Sequence, residues 1–136
     1  MPHDAATRSY GLEVCLAPDV EAWVLAPRLQ PDRALKVQAR IQFVFRRIGD
    51  VGRLAGTDLI DKIDLDLDPP LLEVKINSGN LGFRLFGVSV GSRLCLSEWR
   101  LKKRQSYTSD QYRALHTTAR AFAEGQCQEQ TTRGRP

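Results

Sequence analysis

The chain has 136 residues, of which 42% are hydrophobic and 26% charged, the composition of one ordinary globular domain. No apolar run reaches the roughly 18–20 residues that span a bilayer, and residues 1–8 lack the apolar core of a signal peptide, so a cytoplasmic protein without membrane association is expected. The three cysteines (Cys15, Cys95, Cys127) and two histidines (His3, His116) have neither disulfide-framework nor zinc-site spacing, so no metal and no cofactor is expected.

The net charge of +4 is unevenly distributed. Residues 1–49 carry 7 Lys/Arg against 5 Asp/Glu, residues 50–74 carry 2 against 7, and residues 75–136 carry 11 against 4. A basic C-terminal half is the electrostatic footprint of a polyanion binder.

In chain order, residues 10–17 alternate loosely and predict a first strand. Pro18-Asp19 opens a short helix over residues 19–26, which Pro27 interrupts. Pro31-Asp32 opens a second helix. Its apolar face is Val37, Ile41, Val44 and Ile48, with Arg33, Lys36, Arg40, Arg46 and Arg47 away from it and Gly49 as the stop. The pair forms a helical hairpin that covers a sheet. Residues 50–70 place Asp58, Asp61, Asp64, Asp66 and Asp68 among Leu and Ile. The spacing does not fit a calcium loop and reads as an edge strand or loop with a solvated acidic face.

Three strands follow, over residues 72–77, 83–90 and 93–101, joined by short Gly-containing links into an antiparallel meander. Thr108-Ser-Asp-Gln111 is a capping box that starts a last helix. Tyr112, Leu115, Ala119 and Phe122 form its apolar stripe, and Gly125 is its expected C-cap. Residues 1–125 are read as one domain and residues 126–136 as a disordered polar tail. Trp23 and Trp99 are read as core. The fold class expected is α+β: a small antiparallel sheet, an N-terminal helical hairpin and a C-terminal helix, in the order β-α-α-β-β-β-α.

No GxSxG elbow, P-loop or HExxH motif is present. The densest chemical constellation is basic and aromatic: Lys75, Arg84, Arg100, Lys102, Lys103, Arg104, Tyr107 and Tyr112. RNA cleavage without metal needs a base for the 2′-hydroxyl, cations for the charge that develops on the phosphate, and an acid for the departing 5′-oxygen. Lys, Arg and Tyr can supply these, and tyrosine also stacks on bases.

The stretch Leu71–Phe122 resembles the C-terminal half of RelE/ParE-superfamily toxins, particularly the HigB-like and phage-derived branches. The resemblance is carried by Glu73-Val74-Lys75, Phe83-Arg84-Leu85-Phe86, the Lys102-Lys103 pair and the helix through Ala114. It implies a RelE-like fold and a type II toxin that cleaves mRNA without metal, on the ribosome, opposed by a cognate antitoxin. It further implies that Arg84 contacts the scissile phosphate and that Lys75 is a base or charge stabiliser. Lys102 and Lys103 would serve phosphate contact or acid catalysis, and Tyr107 or Tyr112 would be a site tyrosine. Arg100 and Arg104 are the expected RNA contacts. Two alternatives share the fold: a ParE-like gyrase inhibitor, and a catalytically inert relative that only binds partners.

Overall fold

A computed structural model describes residues 11–102 and 107–133, with side chains to Gln126. The chain forms an α+β domain on a five-stranded sheet. Strand β1 (Glu13–Leu16) leads into α1 (Pro18–Leu25) and α2 (Pro31–Val51). A 3-10 turn (Gly52–Ala55) and a three-residue strand β2 (Ile60–Lys62) follow, then β3 (Leu72–Ser78), β4 (Leu81–Val90), β5 (Arg93–Leu101) and α3 (Ser109–Arg133).

The sheet order is β1-β5-β4-β3-β2. The expected meander is present, because Gly79 and Gly91 take the positive φ that two-residue hairpin links require (60° and 59°). The sheet is mixed, however, not purely antiparallel: β1 lies parallel to β5. Only β3, β4 and β5 are joined by two-residue links, which force antiparallel neighbours. β1 reaches its edge position through the helical pair, which leaves its direction free. A fifth strand, β2, comes from the acidic segment and caps the other edge, pairing with β3. Beyond it, Asp64, Asp66 and Asp68 are exposed while Ile63, Leu65 and Leu67 are half-buried, so the expected solvated acidic face is present.

The two sheet faces bury different helices. Val37, Ile41, Val44 and Ile48 of α2, with Val20 and Trp23 of α1, close over Val74, Ile76, Phe83, Leu85, Leu94 and Leu96. On the opposite face, Leu115, Ala119 and Ala123 of α3 pack on Phe86, Val88 and Cys95. Trp23 is core as expected. Trp99 stacks on it at 5.1 Å but is 37% exposed, at the rim of an apolar groove between α1 and the end of β5.

Two helix ends fall elsewhere than the sequence suggests. α2 passes Gly49 and ends at Val51, where the amide of the cap residue Gly52 donates to the Ile48 carbonyl, which also accepts from the Leu12 amide at 3.2 Å. α3 passes Gly125 and continues to Arg133, so the polar stretch expected to begin at residue 126 starts within a helix. Cys15 Sγ donates to Gln126 Oε1 at 3.7 Å, tying that part of α3 to β1. A lone glycine in a helix interior costs only about 1 kcal/mol, which neighbouring helical residues outweigh.

Where β4 meets β5, the register shifts between Phe86 and Gly87, leaving Ser97 as an extra residue in β5. A Cβ on Gly87 would collide with the Cys95 carbonyl, whereas one on Gly125 would meet nothing. Gly87→Ala is therefore expected to destabilise by about 1–3 kcal/mol and Gly125→Ala to stabilise by about 0.4–1 kcal/mol. Urea midpoints of the two variants check both signs.

Candidate functional site

The register fixes how the candidate side chains meet. Lys75 pairs with Arg84, and Arg84 with Arg100, so three cations stand side by side across β3, β4 and β5. Val74, Ile76 and Leu85 point to the α1–α2 core, so by strand alternation this row faces the α3 side. The next row on that face is Glu73–Phe86–Glu98. On the other side lies Asn77–Gly82, with the Lys102 amide donating to the Gly82 carbonyl. The Lys102 side chain runs over Gly82, where a Cβ would stand 3.2 Å from it.

Like charges directly opposite one another destabilise a sheet. Here each cation of the row has its own carboxylate: Lys75 with Asp61 (3.8 Å), Arg84 with Glu73 (4.0 Å) and Arg100 with Glu98 (2.7 Å). Lys75 also donates to the Thr57 carbonyl at 2.9 Å. Arg84 is the most enclosed, 7% exposed, and its Nη1 donates at 2.9 Å to both Asn77 Oδ1 and the Phe83 carbonyl.

Tyrosines close the row from the start of α3. Gln111 accepts from the Thr108 amide (2.8 Å), and Thr108 Oγ1 accepts from the Gln111 amide (3.2 Å), so the capping box forms as read. It sets Tyr107 and Tyr112 edge-on against Phe86 at 5.7 and 6.3 Å, and 5.6 Å from each other. Both tyrosines therefore belong to one aromatic cluster. Lys103 and Arg104 lie outside the described residues.

One carboxyl and one phenol are electrostatically unusual. Burial pushes the Glu73 carboxyl above its ordinary value, against the pull of Arg84 and Lys75. Burial and the nearby Glu73 charge push Tyr112 up, so it stays protonated through the neutral range. Glu73 is the residue that sequence reasoning missed as a site group. Its signal was present in the alternation of Glu73, Lys75 and Asn77 on one strand face, but nothing in the sequence marks a carboxylate as desolvated.

His116, buried at 7% exposure, donates from Nε2 to the Pro69 carbonyl at 2.7 Å and so fastens α3 to the segment before β3. Among the described residues no three His, Cys, Asp or Glu side chains cluster as metal ligands, and no helix is long and apolar enough to cross a membrane.

The sheet face thus brings together three carboxylate-paired cations, a desolvated carboxyl and two tyrosines. The raised Glu73 pKa gives a test. The folded state holds the Glu73 proton more tightly than the unfolded chain, so stability falls as pH rises from the ordinary carboxylate pKa through the raised one, and is flat above it. Glu73→Gln is expected to remove that slope, read as melting temperature against pH from about 4 to 7. An unchanged slope would assign the pH dependence to other carboxylates.

Comparison with protein-family models, with curated proteins and with solved structures found no match.

Proposed function

We propose that this chain is a RelE/HigB-type toxin that acts on RNA, a metal-independent endoribonuclease directed at mRNA in the ribosome and neutralised by a cognate antitoxin. The observation that carries the reading is the in-register row Lys75–Arg84–Arg100, bordered by Glu73 and by Tyr107 and Tyr112. In this reading Arg84 supplies a preorganised charge for the phosphorane, and Arg100 and Lys102 hold flanking phosphates. A carboxyl such as Glu73, once ionised, takes the 2′-hydroxyl proton, and a protonated tyrosine returns one to the 5′-oxygen.

A specific observation favours a second reading, the inert partner-binding relative. Arg84 is nearly covered, and each cation of the row is already paired with a carboxylate. On the first reading, substrate phosphate displaces those carboxylates as it docks. On the second, the row is a neutralised ladder that only orders the sheet.

Incubation with translating ribosomes, followed by mapping of mRNA ends, separates the readings. Wild type is expected to generate new 5′ ends within coding sequence. Arg84→Lys keeps a charge under the same cover but not the fixed donor fork, and is expected to lose roughly 100- to 1,000-fold in cleavage rate. A folded wild-type protein that produces no new ends, or an Arg84→Lys variant that cleaves at the wild-type rate, would sink the assignment.

A further inference from the structure

The sheet face leaves one strongly charged surface unused. On α2, Arg33, Lys36, Arg40, Phe43 and Arg47 recur at spacings of 3, 4, 3 and 4, a single line along the helix. At about 1.5 Å per residue the line is roughly 21 Å long. It stands about a quarter turn from the buried residues Val37, Ile41, Val44 and Ile48, so it belongs to solvent and not to the core. The opposite flank of α2 is the one occupied by α1, because Gln38 Nε2 donates to the Leu25 carbonyl at 2.8 Å. Arg33, Lys36, Phe43 and Arg47 are exposed and Arg40 is half-exposed.

An ordinary solvated helix face mixes signs, because Glu–Lys neighbours one turn apart stabilise and like neighbours destabilise. In this helix acidic residues stand only near the ends, at Asp32 and Asp50, and the span between them has five basic residues and no acidic one. None of these five makes an ion pair with a described residue. The row on the sheet face differs in this respect, since each of its cations has a carboxylate. Within the stripe, the Arg40 guanidinium carbon lies 4.9 Å from the Phe43 ring centre, over its face. Arg40 Nε is enclosed with no hydrogen-bond partner. That guanidinium is propped by an aromatic ring, not neutralised by a carboxylate. The ring itself is 51% exposed.

We infer that the α2 stripe is a second nucleic-acid surface, which binds an unpaired stretch of RNA through its phosphates while Phe43 stacks on a base. The cations give charge complementarity to a polyanion and relieve their own repulsion on binding it. The aromatic within the line, between Arg40 and Arg47, selects unpaired RNA over a duplex, since only an unpaired base offers its face for stacking. The stripe lies on the helix-hairpin side of the sheet and the candidate site on the α3 side. The inference shares with the proposed function the premise of an RNA target, but it needs no cleavage.

The test is a binding titration of the full chain with a short unstructured RNA at several salt concentrations. Replacing Arg33, Lys36, Arg40 and Arg47 together by Gln is expected to flatten the slope of log affinity against log salt by about 2 to 3 units, since each phosphate contact contributes about 0.7. The charge-preserving set, with Lys at the three Arg positions, is expected to keep the slope and shows that helix content is not the cause. Phe43→Leu is expected to weaken binding about tenfold with the slope unchanged. An unchanged slope in the Gln set overturns the inference. So does a Phe43→Leu variant with wild-type affinity, or binding to fully paired RNA as tight as to unpaired RNA. Stripe-dependent binding to phosphatidylglycerol vesicles, with RNA binding unaffected, overturns it in favour of a membrane surface. If only Arg100→Gln and Lys102→Gln change the RNA slope, the stripe fails while the proposed function stands. If the stripe set changes the slope but no mRNA ends appear on ribosomes, the proposed function fails while the stripe stands.

Discussion

One extra residue in β5 decides which side chains meet on the sheet. From Arg93 to Leu96, β5 pairs with β4 in one register; from Glu98 onward it pairs in the next, with Ser97 between. Ser97 Oγ donates to the Phe86 carbonyl at 3.2 Å, which gives the hydroxyl a partner inside the irregularity. Side chains alternate strictly along a strand, so continuing the first register would put Trp99 opposite Arg84 and turn Arg100 toward the helical hairpin. The shift does the reverse. Arg100 joins Arg84 and Lys75, and Trp99 turns to stack on Trp23. Bulges re-aim side chains in this way next to functional surfaces. The absence of a side chain at Gly87 lets the two strands approach closely enough for it to form.

The row so created is costly on its own, and its surroundings offset the cost unevenly. Arg100 is half-exposed and its pair with Glu98 is a solvated one, worth little. Arg84 and Glu73 are enclosed, at 8% and 15% side-chain exposure, where desolvation opposes the attraction. The raised Glu73 pKa shows desolvation to be the larger influence, even with two cations beside it. Arg84 recovers part of its own desolvation through two neutral acceptors, Asn77 and the Phe83 carbonyl. Burial thus makes Glu73 hold its proton more tightly than an ordinary carboxyl, in spite of the neighbouring cations.

Much of this was legible where one local rule dominates. The α2 core stripe, the Thr108–Gln111 cap and the two Gly-led hairpins each follow from spacing or from a turn residue, and each is present. Strand alternation in a short meander sets Lys75 and Arg84 on one face, whereas Arg100 and Lys102 join them only through the register shift at Ser97. What was hidden depends on tertiary context. Ser97 has no property that marks it as an extra residue. The direction of β1 is set by packing after a helical crossover, not by a turn. Gly125 reads as a stop and is carried through as helix. The exposure of Arg84 and the desolvation of Glu73 are consequences of what covers them, which no pattern along one strand reports.

The fold also separates the charges that the sequence interleaves. The acidic segment packs Ile63 and Leu67 into the α3-side core while Asp64, Asp66 and Asp68 face solvent. His116 fixes that segment to α3 through Pro69. The negative ribbon therefore belongs to the same side of the sheet as the paired cations, whereas the unpaired cations of α2 lie on the other. Along the row Lys75–Arg84–Arg100 each cation is matched by a carboxylate, so the long-range attraction of these described groups for a polyanion is weak. The α2 stripe meets acidic residues of its own helix only at the ends, Asp32 and Asp50. In the proposed reading, capture by the stripe and chemistry at the row are separable tasks, one governed by exposed charge and salt, the other by desolvation and fixed geometry.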